Sequence, residues 1–316
     1  MFEDSSAFIS NVKIAAEQVG ILYILVLVGF IADKTKIFTE KTAKACTDLL
    51  FYIVTPAVII NSFFSQSYSA DSAKKLLIAV GCGFLIHFAA IIISYPVYKR
   101  GDADENAVYK FASIYGNVGY MTLPLTDAIL GSEGVFYCSG VVIAFNIISF
   151  THGIYIMDTG KGKFNFKTLL LNPGVLAVAV GLPFYLLNID LPKIVTAPVA
   201  YIDAMQTPLA MIVFGTFLAN TNLSSLFKRK KILLAALIKL LMLPAVMFLI
   251  YKAFGLGGTL MCALMISSCA PSANNTVMFS AKYGKDTSLA AQTVALVSFI
   301  SILTMPLIIA FVTTFS

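Results

Sequence analysis

Two interrupted apolar segments decide how this chain folds: Ile114-Tyr-Gly-Asn-Val-Gly-Tyr-Met-Thr-Leu-Pro-Leu125 and Ser267-Ser-Cys-Ala-Pro-Ser-Ala-Asn-Asn-Thr-Val-Met-Phe279. Each places Pro and Asn where a helix in hydrocarbon would ordinarily carry apolar side chains. A bilayer has no water to satisfy backbone groups that a break leaves unpaired, so such breaks persist only inside protein or beside a water-filled cavity. The two segments therefore predict irregular backbone at a protected position in the interior.

The rest of the chain has the composition of a membrane protein. Of its 316 residues, 59% are hydrophobic and 12% are charged, and the mean hydropathy of +0.87 is far from that of a soluble domain. We predict an all-α polytopic fold with ten transmembrane helices. Because the chain begins with Glu3 and Asp4 rather than a basic region, the first span is expected to be a retained helix and not a signal peptide. The ten spans are predicted near 13–32, 42–65, 76–98, 107–130, 134–157, 170–187, 195–219, 231–251, 258–282 and 287–313.

Lysine and arginine are distributed unevenly between the loops. Sixteen of the 22 basic residues follow spans 1, 3, 5, 7 and 9, and five lie on the other side. Short loops rich in Lys and Arg face the cytoplasm, so we predict a multi-pass protein of the cell (plasma) membrane with both termini outside. This bias, with anionic lipid as the partner, accounts for the net charge of +6 without any nucleic acid.

An internal repeat relates the two halves of the chain. A shift of 152 residues places Gly29 on Gly181 and Thr55 on Thr207, and Pro follows both threonines. Equivalent loops carry opposite charge bias, because a unit of five helices must start its second copy from the other face. We therefore predict two inverted five-helix repeats in which spans 4 and 9 are equivalent. The predicted units are a first repeat, a short cytoplasmic connector and a second repeat, at 1–157, 158–169 and 170–316.

The two interruptions are candidates for a composite binding site. Pro breaks a helix, and a broken helix presents an N-terminal end with unpaired N–H groups and partial positive charge, which favours an anion. Matched interruptions in two halves of a chain indicate the binding site of a transporter. The alternative is that both are packing kinks, since Gly and Pro are common in spanning helices. The candidate substrate-binding residues here are Gly116, Asn117, Gly119, Pro124, Pro271, Asn274 and Asn275.

Other polar residues in the spans add to this set. Thr55 and Gln206, with Asn61, could form a polar wall beside the kinks of spans 2 and 7, or simply accompany those kinks. Lys239 lies within span 8, where a buried charge is functional by default, although its stem could snorkel toward the cytoplasmic end. Candidates for ion coupling or charge are Lys239, His87, Asp127 and Asp203, with Asp48, His152 and Asn146 as weaker ones. For His87 the ordinary alternative is a packing role.

Enzymatic chemistry finds no support in the sequence. No catalytic triad, HExxH motif, P-loop or GxGxxG fingerprint is present. The five cysteines lack metal-binding spacing and are expected to be small core residues. We therefore predict no enzyme activity, no cofactor and no metal site.

Three stretches resemble the auxin efflux carrier family: Tyr115-Gly-Asn-Val-Gly-Tyr-Met-Thr-Leu-Pro124, Leu171-Asn-Pro-Gly174, and Ala270-Pro-Ser-Ala-Asn-Asn275 followed by Lys282-Tyr-Gly-Lys-Asp286. The resemblance covers essentially the whole chain. It implies a fold related to that of the bile-acid sodium symporters, in which Pro-broken helices 4 and 9 cross. It also implies a scaffold of helices 1, 2, 6 and 7, often the face of a homodimer, and a transport part of helices 3–5 and 8–10 that moves as an elevator.

The same resemblance suggests a class of substrate. It implies that the crossing is formed around Asn117 to Pro124 and Pro271 to Asn275. The short connector is similar to that of prokaryotic members, whose substrates are usually assigned as small carboxylates such as malate, and this leaves auxin itself in doubt. The resulting hypothesis is a secondary active or facilitative transporter of a small organic anion. Its rivals are a sodium-coupled symporter of the bile-acid type, using Asp127 or Asp203, and a membrane sensor or channel without carrier turnover.

Overall fold

A computed structural model describes residues 2–159, 170–220 and 229–315. Most of the predicted connector at 158–169 lies outside these ranges. So do four of the basic residues used to predict orientation, Lys161, Lys163, Lys167 and Lys228.

The described residues are almost entirely helical, as the sequence predicts. The α-helices, numbered in chain order, are α1 (Phe2–Lys34), α2 (Glu40–Leu49), α3 (Thr55–Phe64), α4 (Ala70–Val97), α5 (Ala103–Ile114), α6 (Leu123–Ile148), α7 (Ile154–Met157), α8 (Pro173–Leu186), α9 (Lys193–Asp203), α10 (Gln206–Ala219), α11 (Lys230–Leu237), α12 (Leu243–Ala253), α13 (Gly258–Ser268), α14 (Asn275–Lys282) and α15 (Thr287–Phe315). Within the described ranges, six continuous helical stretches are long and apolar enough to cross a membrane: Glu40–Phe64, Ala70–Val97, Leu123–Met157, Lys193–Ala219, Lys230–Ala253 and Thr287–Thr314.

The two interrupted spans differ from the others. The second interruption leaves α13 and α14 as separate short helices. The first separates α5 from the long stretch Leu123–Met157, which joins the end of predicted span 4 to span 5. Gly131, with φ 64° and ψ −162°, marks the kink between those two parts. Only glycine adopts this conformation without strain.

Proline accompanies three of the wide π-helical turns in the chain. These turns, Leu50–Val54, Val118–Thr122 and Ile238–Met242, each end two residues before a proline, namely Pro56, Pro124 and Pro244. Because proline lacks an N–H and its ring clashes with the carbonyl one turn earlier, the helix before it relaxes into a wider turn. Such π-turns often occur at functional sites.

Close helix packing relies on glycine at two sites. A Cβ on Gly29 of α1 would overlap the backbone carbonyl of Ile212 on α10, and a Cβ on Gly215 of α10 would overlap that of Val26 on α1. Gly181 of α8 similarly lies against the ring of Phe63 on α3, which a Cβ would approach to 2.8 Å. Small residues allow membrane helices to approach closely enough for backbone contact. Helices α1 and α10, and helices α3 and α8, are thus closely packed through these glycines.

Candidate binding site at the crossing of two interrupted segments

The two interruptions predicted from the sequence cross each other in the structure. Gly116 and Ser272 form an antiparallel bridge. The Asn117 N–H donates to the Pro271 carbonyl at 2.7 Å, and the Ala273 N–H donates to the Tyr115 carbonyl at 2.9 Å. Backbone groups freed by one break are therefore satisfied by the other, which meets the requirement for irregular backbone in a membrane.

The carbonyls at the C-terminal end of α5 find side-chain donors. The Ser272 hydroxyl donates to the Ala112 carbonyl at 2.7 Å. The Lys239 ammonium donates to the Ile114 carbonyl at 3.4 Å. Both donors come from distant parts of the chain, and both act where a helix end leaves carbonyls without partners.

Each interrupted segment restarts as a helix at the crossing. The Asn117 carbonyl accepts the N–H groups of Met121, at 3.4 Å, and of Thr122, at 3.2 Å. In the second segment, the Asn274 carbonyl accepts the Val277 N–H at 3.0 Å. These restarts place two helix N-termini beside the crossing, and helix N-termini carry partial positive charge.

A cavity of about 480 Å³, part of which is open to solvent, lies against these restarts. The described residues that line it are amide, hydroxyl, glycine and apolar residues without charge: Phe51, Thr55, Gly116, Asn117, Val118, Gly119, Val142, Phe145, Asn146, Asn172, Gly174, Ala273 and Asn275. A second cavity of about 270 Å³ lies nearby and is lined by Thr47, Leu50, Asn117, Met121, Ala210, Met211, Val213, Phe214 and Asn274. Asn117 borders both cavities, so it stands at the centre of the candidate site.

The predicted polar wall contacts the crossing through Gln206. Its side-chain amide donates to the Gly119 carbonyl at 3.0 Å, and its oxygen accepts from the Thr55 hydroxyl at 3.3 Å. Gln206 begins α10, three residues after the last residue of α9. A chain of hydrogen bonds therefore connects the start of α3 and the start of α10 to the first interrupted segment.

The other predicted residues occupy different positions. Pro271 supplies a carbonyl to the crossing, whereas Pro124, buried in the first turn of α6, lines neither cavity. Asp203 is half-buried and accepts a hydrogen bond from Asn61 at 2.6 Å, whereas Asp127 and Asp48 are exposed. These carboxylates line neither cavity.

The two histidines lie behind the first segment. His87 is buried, donates to the Gly83 carbonyl at 2.6 Å and packs against the Tyr115 ring. The Tyr115 hydroxyl donates to the Ile148 carbonyl, so it must accept from His152 Nδ1, 2.9 Å away. His152 Nε2 then accepts from the Tyr95 hydroxyl at 3.0 Å. Both histidines thus serve to hold Tyr115, whose carbonyl belongs to the crossing.

Sequence reasoning underrated three polar residues at this site. Asn172 caps α8 by accepting the Gly174 N–H at 2.9 Å, and it lines the larger cavity with Asn146. Its position before Pro-Gly is a recognisable helix-start signal. Asn146 had no such signal beyond its polarity. Ser272 had none, because its partner, Ala112, is 160 residues away.

Crossed, interrupted segments beside a cavity lined by amide, hydroxyl and apolar groups, among helices able to span a bilayer, define a multi-pass membrane protein of the transporter class. The chain belongs to the membrane transport protein family, that of the auxin efflux carriers, and the family's sequence model matches residues 14–309.

Two relatives are similar over nearly their full length. A Methanothermobacter thermautotrophicus protein named "Uncharacterized transporter" is 23% identical over 301 residues, covering 93% of this chain and 97% of the relative. A Rhizobium meliloti protein named "Putative malonate transporter" is 23% identical over 296 residues, covering 89% and 90%. Both names agree with transport across a membrane, and only the second names a substrate.

Proposed function

We propose that this protein is a secondary transporter of a small organic anion whose carboxylate binds at the crossing. The observation that carries the proposal is the cavity to which both restarting segments contribute, at Gly119 and at Asn275. Two helix N-termini there favour negative charge, and the amide side chains of Asn117 and Asn275 can donate hydrogen bonds to carboxylate oxygens. The Rhizobium meliloti relative named for malonate supports a small carboxylate.

The architecture we propose is two inverted five-helix repeats that work by elevator-type alternating access. The predicted spans 1, 2, 6 and 7 would form a scaffold and possible homodimer face, and the predicted spans 3–5 and 8–10 would form the moving part. Two packing pairs support the repeat. Gly29 and Gly181, equivalent by the 152-residue shift, each make a close contact between a helix of one half and a helix of the other. In this proposal the protein lies in the plasma membrane with both termini outside.

The first experiment tests carboxylate transport and its dependence on the crossing. Purified protein is screened by thermal shift with malonate, malate, succinate and indole-3-acetate, and the best ligand is measured by counterflow in proteoliposomes. Loss of a hydrogen bond to a charged group costs about 1.5–3 kcal/mol, so Asn117→Ala and Asn275→Ala should each reduce affinity at least about tenfold. Asn274→Ala, beside the smaller cavity, tests whether that side takes part.

Asn220→Ala is the matched control, because Asn220 bonds Asp33 at an exposed position away from both cavities. Unchanged counterflow in Asn117→Ala and Asn275→Ala would place the site elsewhere. Binding without counterflow would favour the sensor or channel alternative. Uptake that requires sodium would favour the symporter alternative, for which Asp127→Asn and Asp203→Asn are the variants to examine. Sodium-independent uptake would leave uniport or proton coupling.

A further inference from the structure

Lys239 is buried at the crossing. Its side chain is 1% exposed and comes from the π-turn Ile238–Met242. A Cβ placed on Gly116 would meet the Lys239 ammonium nitrogen at 3.0 Å and the Ala270 methyl at 3.4 Å. The ammonium therefore lies where the first segment passes over the second, and the snorkelling predicted as an alternative does not occur.

The charge of Lys239 is only partly compensated by its surroundings. Among the described residues, no carboxylate forms an ion pair with it. Its hydrogen bond goes to the carbonyl of Ile114, the last residue of α5. A helix C-terminus carries about half a negative charge, which is less than the full positive charge of an ammonium. A buried charge in this condition favours the arrival of an anion.

The Lys239 ammonium lies beside a residue that forms part of the wall of the larger cavity. Gly116 lines that cavity, and a Cβ placed on Gly116 would lie 3.0 Å from the ammonium nitrogen. Electrostatic attraction acts over this distance in a medium of low dielectric constant.

We propose that Lys239 is a positioning residue that selects anions, supplying a fixed positive charge to the cavity through the backbone of Gly116. This inference rests on the proposed carboxylate transport and deepens it by assigning the source of charge selectivity. Lys239 does not contact the substrate. It holds the end of α5 and makes the adjoining wall positive, so a carboxylate is preferred over its neutral amide.

The test compares carboxylates with their amides in three variants. Malonate, succinate and acetate are measured against malonamide, succinamide and acetamide by competition with the labelled ligand of the counterflow assay. Lys239→Met removes charge and donor, Lys239→Gln keeps a donor without charge, and Lys239→Arg keeps both. We expect Lys239→Met and Lys239→Gln to lose about tenfold or more in carboxylate affinity, with amide affinity nearly unchanged, and Lys239→Arg to keep most of its carboxylate affinity.

Lys252→Met is the matched control, because Lys252 is an exposed lysine farther along the same helical stretch. If Lys239→Gln binds carboxylates like the wild type, the hydrogen bond suffices and the charge proposal is wrong. Equal losses for carboxylates and amides would also overturn it, since they would indicate a purely structural role. If wild-type protein binds none of the carboxylates, the proposed function itself fails.

Gly116→Ala keeps the test decisive if the Lys239 variants do not fold. The added methyl group would lie 3.0 Å from the ammonium nitrogen and 3.2 Å from Cε, so it pushes the charge away without removing it. We expect carboxylate affinity to fall several-fold more than amide affinity. Equal effects on both would contradict the proposal.

Discussion

Single residues at the crossing replace the hydrogen bonds that an unbroken helix would make. Ser272 is the clearest case, because its hydroxyl donates at 2.7 Å to the Ala112 carbonyl in the last turn of α5 and is fully buried. Ser272→Ala would leave that carbonyl without this donor, at a cost of about 1–3 kcal/mol in the free energy of unfolding. The expected result is a clear fall in Tm of the detergent-solubilised protein.

Thr276, four residues later, provides the comparison for Ser272. Its hydroxyl is buried but makes no hydrogen bond with the described residues. Thr276→Val keeps the shape and removes an unsatisfied polar group, so its Tm should stay equal or rise. Equal destabilisation by Ser272→Ala and Thr276→Val would show that the Ser272 hydrogen bond adds nothing.

Some residues of the site could be predicted from the local sequence, whereas the role of others depends on partners that are distant along the chain. Asn117, Pro271 and Asn275 could be predicted because proline and polar residues are locally conspicuous in a hydrocarbon-spanning segment. The contact between Lys239 and Ile114 spans 125 positions, and sequence alone left open whether the lysine faced the site or the membrane surface. Local pattern identifies a buried polar residue, whereas its partner follows only from the tertiary fold.

At the scale of helices, proline determines where the regular hydrogen-bond pattern widens. Pro244 follows the π-turn that carries Lys239. Pro244→Ala restores a backbone N–H, which would let the turn tighten to an α-helix and rotate Lys239 away from Gly116. We expect carboxylate affinity to fall as in Lys239→Met while Tm stays equal or rises, because a helix interior favours Ala over Pro by about 3 kcal/mol.

Pro198→Ala is the control for Pro244→Ala, because Pro198 lies inside α9 without a preceding π-turn. It should leave carboxylate affinity unchanged. The proline positions were readable from the sequence as kinks. The π-turns were not, because a kink is compatible with several backbone geometries and packing selects among them.

The contact between α1 and α10 yields a second prediction at this scale. Gly29→Ala would force the two backbones apart, since a Cβ there overlaps the Ile212 carbonyl. We expect a loss of about 1–3 kcal/mol in stability, the range typical of overpacking, measured as reduced yield of monodisperse protein and lower Tm. Gly20→Ala on the same helix has open space around the new Cβ and should be neutral or slightly stabilising. Comparable losses in both variants would mean that the close contact between α1 and α10 does not set the effect.

For the whole molecule, the sequence predicted an all-helical membrane protein and the pairing of two interrupted segments. Composition fixes the first, because a chain that is 59% hydrophobic has too little polar surface for a soluble fold. Symmetry of the interruptions indicated the second. The cavity shape, and the contribution of Asn146 and Asn172 to it, were beyond sequence reasoning because five separate parts of the chain meet there.

The bond from Gln206 to Gly119 links the proposed scaffold to the proposed moving part, so an elevator motion has to break it. A neutral hydrogen bond contributes about 0.5–1.5 kcal/mol, and Gln206→Ala should shift the conformational equilibrium away from this arrangement by about fivefold. The measurement uses Asn275→Cys in a Cys46→Ser background. The cysteine is reacted with a membrane-impermeant thiol reagent added on either side of the membrane, and the two rates are compared. With Gln206 present, the cysteine is expected to react faster from one side than from the other. Gln206→Ala should raise the slower rate relative to the faster one. Gln292→Ala, which alters a half-buried glutamine with an exposed hydrogen bond to Ser288 on α15, should leave the ratio unchanged. An unchanged ratio in Gln206→Ala would mean that Gln206 and Gly119 move together, and the boundary between scaffold and moving part would then have to be drawn elsewhere.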